Sequence, residues 1–129
     1  MGAAETLAEA LDALESTLLE IERVANRKDG DRARELIAQR RALSDGMTRV
    51  QQAATAAGSP FAQEPVLAEF QREFSKMRSA VALHQATWSV VLIDEAPAAY
   101  IASSRNASAA TRSFLGWARG VLSSRGIRR

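Results

Sequence analysis

The chain has no cysteine. A disulfide framework and any thiolate metal site are therefore excluded, and the composition suits a reducing compartment such as the cytoplasm. There is one histidine, so chemistry built on paired imidazoles is excluded as well. Seven glycines and three prolines in 129 residues are few for a fold with many turns. Aromatic residues make up only 5%, while hydrophobic residues reach 47%, with alanine and leucine supplying most of them. That balance is typical of helical proteins. The apolar run Val90-Val91-Leu92-Ile93 falls far short of the roughly 20 residues a membrane span needs, so no membrane insertion is expected. The first residues lack a basic region followed by an apolar run, and no secretory leader is expected. Asn106-Ala107-Ser108 is read as a chance glycosylation sequon.

What is present fits one domain spanning residues 1–129 with a substantial core. The net charge of +2 conceals an asymmetry. Residues 1–26 hold six acids and one base, whereas residues 105–129 hold six arginines and no acid. Either the two segments are neighbours that neutralise each other, or the basic end meets an acidic partner or nucleic acid.

Hydrophobic spacing predicts four helices, at about 4–27, 32–57, 66–94 and 98–123. Leu7, Leu11, Leu14, Leu18, Ile21 and Ala25 form the first stripe. The turn Lys28-Asp29-Gly30-Asp31 follows, with Asp29 or Asp31 as a cap for the second helix. The second stripe runs through Ala33, Leu36, Leu43, Met47, Val50, Ala54 and Ala57. Arg40 interrupts it, and its stem is expected along the core with its head in water. The stripe keeps phase through Ser44-Asp45-Gly46, so this helix is read as continuous. Gly58 to Pro65 reads as a loop, with Pro65 at the first helical position of the next helix. The third stripe is Leu67, Phe70, Phe74, Met77, Val81, His84, Trp88 and Val91. Pro97 must end or kink that helix between Ile93 and Ala96. The fourth stripe, Tyr100, Ser104, Ala107, Thr111, Phe114, Ala118 and Val121, is the poorest, because Ser104 and Thr111 lie within it. The expected fold is an all-α antiparallel bundle of three to four helices, the chain either turning or only kinking at Pro97.

No catalytic or metal constellation is found. His84 has valine, not glutamate, three residues before it, so the paired ligand pattern of di-iron bundles is absent. Glu69 and Glu73 read as a solvated helix face. There is no phosphate-cradling glycine loop and no nucleophile elbow. Neither an enzyme nor a cofactor is expected.

Two surfaces stand out instead. Arg105, Arg112 and Arg119 recur every seven residues and form one basic line, a candidate contact surface. No aromatic residue interleaves with them on that edge, which disfavours nucleic acid. Phe114, Leu115, Trp117, Val121 and Leu122 spread over more than one helical face and, with Tyr100, are the candidate protein-binding anchors. Ala109, Ser113, Gly116 and Gly120 form a small-residue groove, suited either to tight internal packing or to an approaching helix.

The stretch Leu14-Glu15-Ser16-Thr17-Leu18-Leu19-Glu20-Ile21-Glu22-Arg23, followed by Gly30-Asp31 and by Leu36 through Arg40-Arg41-Ala42-Leu43, resembles the leading hairpin of flagellar export chaperones of the FlgN and FliT type. A long helix bearing His84-Gln85 and then a C-terminal helix extend the resemblance. The tryptophans and the arginine-rich end depart from it. The resemblance implies a cytoplasmic chaperone for the helical ends of hook–filament junction or cap proteins, with helix-in-groove recognition. A homodimer built on the same apolar stripes is the alternative.

Overall fold

The computed structural model describes residues 2–27 and 29–125. Lys28 of the first turn and Gly126 to Arg129 of the basic end lie outside the described residues. Five helices form: α1 (Ala3–Ala25), α2 (Arg32–Thr55), α3 (Val66–Thr87), α4 (Val90–Glu95) and α5 (Pro97–Ser124). Helix accounts for 83% of the chain described, and no strand occurs among those residues. None of these helices is long and apolar enough to cross a membrane.

The leucine row of α1 is its innermost feature. Leu7, Leu11, Leu14 and Leu18 are all buried, and so are Ala8, Ala10 and Val24 beside them. The buried arc is wider than one stripe because α1 packs against both α2 and α5. α2 runs antiparallel to it: Gly46 faces Leu14, Gly58 faces Ala3, and Arg27 pairs with Glu35 across the turn. The second helix is unbroken through Gly46, as its phase predicts. In the turn, Asp31 takes the N-cap position but makes no side-chain cap bond. Asp29 instead accepts from the Asp31 N–H at 3.0 Å and from Arg27, so the acid closes the turn rather than the helix.

α3 and α5 form the second antiparallel pair. Phe70 and Phe74 meet Phe114 and Trp117 at one end, while His84 meets Ser103 at the other. α5 in turn lies antiparallel to α1, with Arg119 beside Asp12 and Glu15 and Arg112 beside Glu22. The backbones of α2 and α3 make few close approaches.

The third helix differs from its prediction. It was expected unbroken to residue 94, but α3 stops at Thr87. Trp88 leaves the helical region (φ −112°, ψ 87°), and Ser89 is extended before the short α4 begins. Two contacts hold this break. The Trp88 carbonyl accepts a hydrogen bond from Arg40 Nη2 at 2.6 Å, and the indole packs edge-on to Tyr100 at 5.8 Å. Pro97 then opens α5 at its first helical position, where its missing N–H costs nothing. The chain therefore turns here rather than only kinking. Pro65 sits at the N-cap of α3, one residue earlier than expected. The side chain of Val91, placed in the third stripe by its spacing, lies outside the described residues.

The core divides in two. The larger cluster joins the leucines of α1 to Phe70, Phe74, Met77, Phe114, Leu115 and Leu122. The smaller gathers Val24, Ala25, Leu36, Ile93 and Tyr100. Phe61 enters the larger cluster from the loop, fully buried, with its ring 5.2 Å from Trp117 and 5.9 Å from Phe70. Its N–H donates to Ser59 Oγ at 3.1 Å, which fixes the loop over the ring. Phe61→Ala is therefore expected to cost about 3–5 kcal/mol in urea denaturation, as for a core aromatic. A cost under about 1 kcal/mol would show that the loop does not close the core.

Candidate functional site

The weak stripe of α5 has a structural role. Ser104, Ser108 and Thr111 are all buried, with Thr111 at 1% exposure. Thr111 Oγ1 donates to the Ala107 carbonyl at 3.1 Å, satisfying the hydroxyl within its own helix. These residues face a cavity of about 30 Å³ between α1, α2, α3 and α5. Arg40, His84, Gln85 and Tyr100 also line it, and Leu18, Leu36, Leu43 and Val81 close its apolar walls. The space suffices for about two water molecules. A polar layer thus lies where the two core clusters meet.

Arg40 enters this layer from α2. Its head does not simply reach water, as its place in the stripe suggested, but is half-buried and bound to the Trp88 carbonyl. Burial pushes its pKa below the usual guanidinium value, and Tyr100 opposes that shift. Burial holds the Tyr100 phenol above its ordinary pKa against the lowering effects of Arg40 and Ser104. His84 Nδ1 lies 2.7 Å from Ser103 Oγ, with the ring 5.5 Å from that of Tyr100. Burial first and Arg40 second lower the pKa of His84, so the imidazole is neutral at pH 7. Among the described residues no cluster of three metal-ligating side chains occurs.

The predicted anchors divide by position. Tyr100, Phe114, Leu115 and Leu122 are buried in the chain's own core, whereas Trp117 and Val121 are half-buried at its edge. The basic line turns toward α1: Arg112 pairs with Glu22, and Arg119 donates to Asp12 at 3.0 Å and Glu15 at 2.8 Å. Arg105 lies near Glu22 and Asn26 and has no ion pair among the described residues. Ala109, Ser113, Gly116 and Gly120 all face solvent, and a Cβ added at either glycine would meet no atom of the described residues within 4 Å. Tight internal packing therefore does not account for them. On the neighbouring helix Leu83 is 70% exposed, beside a shallow groove of Ala80, Thr87, Ser103, Asn106 and Ala107.

Some site residues carried no sequence signal. Arg32 is almost wholly buried, donating to the Arg27 carbonyl at 2.8 Å and to Asp94 at 2.6 Å, and so ties α4 to the first turn. Ser108 lay outside the predicted stripes, and Gln85 entered the sequence reading only through the resemblance, beside His84. No protein-family model, curated protein or solved structure matches this chain.

The half-buried His84 sets a pH expectation. Its folded-state pKa lies below the unfolded value of about 6.5. The unfolded chain then binds the proton first, so its contribution to stability is present above that value and is lost as pH falls through the folded pKa. Denaturation of wild type and His84→Gln between about pH 5 and 8 is expected to show a stability difference that shrinks on acidification. A difference independent of pH would contradict the half-buried neutral imidazole.

Proposed function

We propose that the chain is a helical protein-binding module, its four long helices forming an antiparallel bundle whose α5 receives a partner helix. Gly116 and Gly120 carry this reading. In a helix interior each forfeits about 1 kcal/mol relative to alanine, and no described residue approaches closely enough to need the missing Cβ. A partner helix whose backbone comes close does need it. Trp117, next to Gly116, is half-buried at the edge of the core. The buried Phe114, Leu115 and Leu122 become accessible only where α5 lifts from α1, a motion opposed on the surface by the Arg112 and Arg119 ion pairs.

α5 contains no acid, and two of its three helical-line arginines are already paired with α1. The face left over suits an uncharged helical partner better than a phosphate backbone. The resemblance to flagellar export chaperones gives this partner its specific form, the C-terminal helix of a hook–filament junction or cap protein held unpolymerised in the cytoplasm.

Gly116→Ala with Gly120→Ala tests the reading because two measurements move in opposite directions. Stability should rise by about 1 kcal/mol per site. Affinity for a synthetic C-terminal helix of a junction protein, followed by Trp117 fluorescence in a Trp88→Phe background, should fall at least about tenfold, as expected when a close backbone contact is lost. Unchanged affinity in the stabilised variant would sink the docking face. Loss of a dimer in sedimentation, with no peptide binding by the parent, would assign the face to a second copy instead.

A further inference from the structure

We propose that the cavity beneath Arg40 is a binding site for a carboxylate group. The inference starts from a comparison among the arginines. Of those not exposed to solvent, Arg27 pairs with Asp29 and Glu35, Arg32 with Asp94, and Arg119 with Asp12 and Glu15. Arg40 is the one with no carboxylate partner among the described residues, and the Trp88 carbonyl is its described hydrogen-bond acceptor. A half-buried cation is ordinarily paired, because a carbonyl dipole compensates lost hydration only in part.

The surroundings of that charge point the same way. No acid lines the cavity from any of its four helices: α1 contributes Leu18 and Ile21, α2 Leu36, Arg40 and Leu43, α3 Val81, His84 and Gln85, and α5 Tyr100 with small and hydroxyl residues. No fully buried side-chain N or O atom lacks a partner among the described residues, so the unpaired donors of Arg40 open onto the cavity or onto water. The phenol of Tyr100 keeps its proton, and Ser104, Ser108 and Gln85 add neutral polar groups. Water can hydrate these groups without neutralising the guanidinium. A planar carboxylate does both, since its two oxygens match the guanidinium fork. With room for about two water molecules, the cavity can take the two oxygens of a carboxylate. The donor set thus fits either a free small acid or the tip of an acidic side chain from a partner. The inference does not depend on the α5 docking face.

Nuclear magnetic resonance on the full chain tests it. Sodium formate, sodium acetate and N-acetyl-glutamate N-methylamide are titrated separately against sodium chloride at matched ionic strength. The Arg40 Nε–H signal and the His84 ring report the result, and His84 is unambiguous because the chain has a single histidine. The site predicts a saturable shift at Arg40 with a millimolar Kd, near the ceiling for a ligand of so few atoms. It also predicts that the His84 pKa rises on binding, because the added negative charge offsets Arg40, whose proximity otherwise lowers that pKa. Arg40→Gln should weaken binding about tenfold or more, the loss of a charge-assisted hydrogen bond. Ser104→Ala, which leaves the cation in place, should weaken it by about threefold and keeps the test valid if Arg40→Gln does not fold. Binding of formate and acetate alone identifies a free small acid as the ligand, whereas binding of the glutamate analogue as well identifies a partner's side chain. Shifts that grow linearly without saturating, or that chloride reproduces, would overturn the proposal.

Discussion

Everything else in this molecule depends on α1 burying one row of leucines against two neighbours at once. Leu7, Leu11, Leu14 and Leu18 sit between α2 on one side and α5 on the other. With four such side chains each gaining about 1.5–3 kcal/mol on burial, this seam outweighs any surface contact in the chain. It also explains how two helical pairs become one body although α2 and α3 scarcely approach each other. Around the seam the polar links are made by arginine. Arg40, Arg112 and Arg119 each reach from one pair to the other, to the Trp88 carbonyl, Glu22, and Asp12 with Glu15, and Arg32 reaches from α2 to Asp94 of α4. The exposed members of that set are screened by salt and add little stability, so they set register more than strength.

The seam is not apolar along its whole length. Where the larger cluster gives way to the smaller one, Ser104, Ser108 and Thr111 replace the large apolar side chains that α5 presents further along, and Arg40 and His84 face them from α2 and α3. This layer forgoes some hydrophobic burial, and it fixes the chain reversal at Trp88 through the Arg40 hydrogen bond. The C-terminal half of α5 is anchored in the aromatic cluster of Phe61, Phe70, Phe74 and Phe114, whereas its N-terminal half rests on the polar layer and on Tyr100. The two halves of one helix are therefore held by different physics.

The four long helices were legible because each carries a long stripe at helical spacing, and in α1 all of that stripe but the half-buried Ile21 is buried. The neighbouring of the acidic first helix and the arginine line of α5 was legible as one of two alternatives, since opposite charges on two segments allow either internal pairing or an external partner. The break at Trp88 was not legible. The stripe runs in phase from Phe70 through Trp88, and the hydrogen bond that meets the chain at the break comes from Arg40, 48 residues away in sequence. Phe61 was missed because a loop has no periodicity to show that one of its residues points inward. Ser104 and Thr111 were visible as defects in a stripe, but only the packing brings them together with Arg40 and His84. The solvent exposure of Gly116 and Gly120 likewise follows from which face of α5 its neighbours cover, and no local pattern fixes that.

α1 is the seam on which the fold closes, and the N-terminal half of α5, resting on the polar layer, is the long segment held by the least apolar burial. Native-state hydrogen exchange measures this residue by residue. Amides of α1 from Leu7 to Leu18 are expected to open only with global unfolding, and those of residues 97–108 to open with a distinctly smaller free energy. Exchange from residues 97–108 as slow as from the leucine row would contradict it.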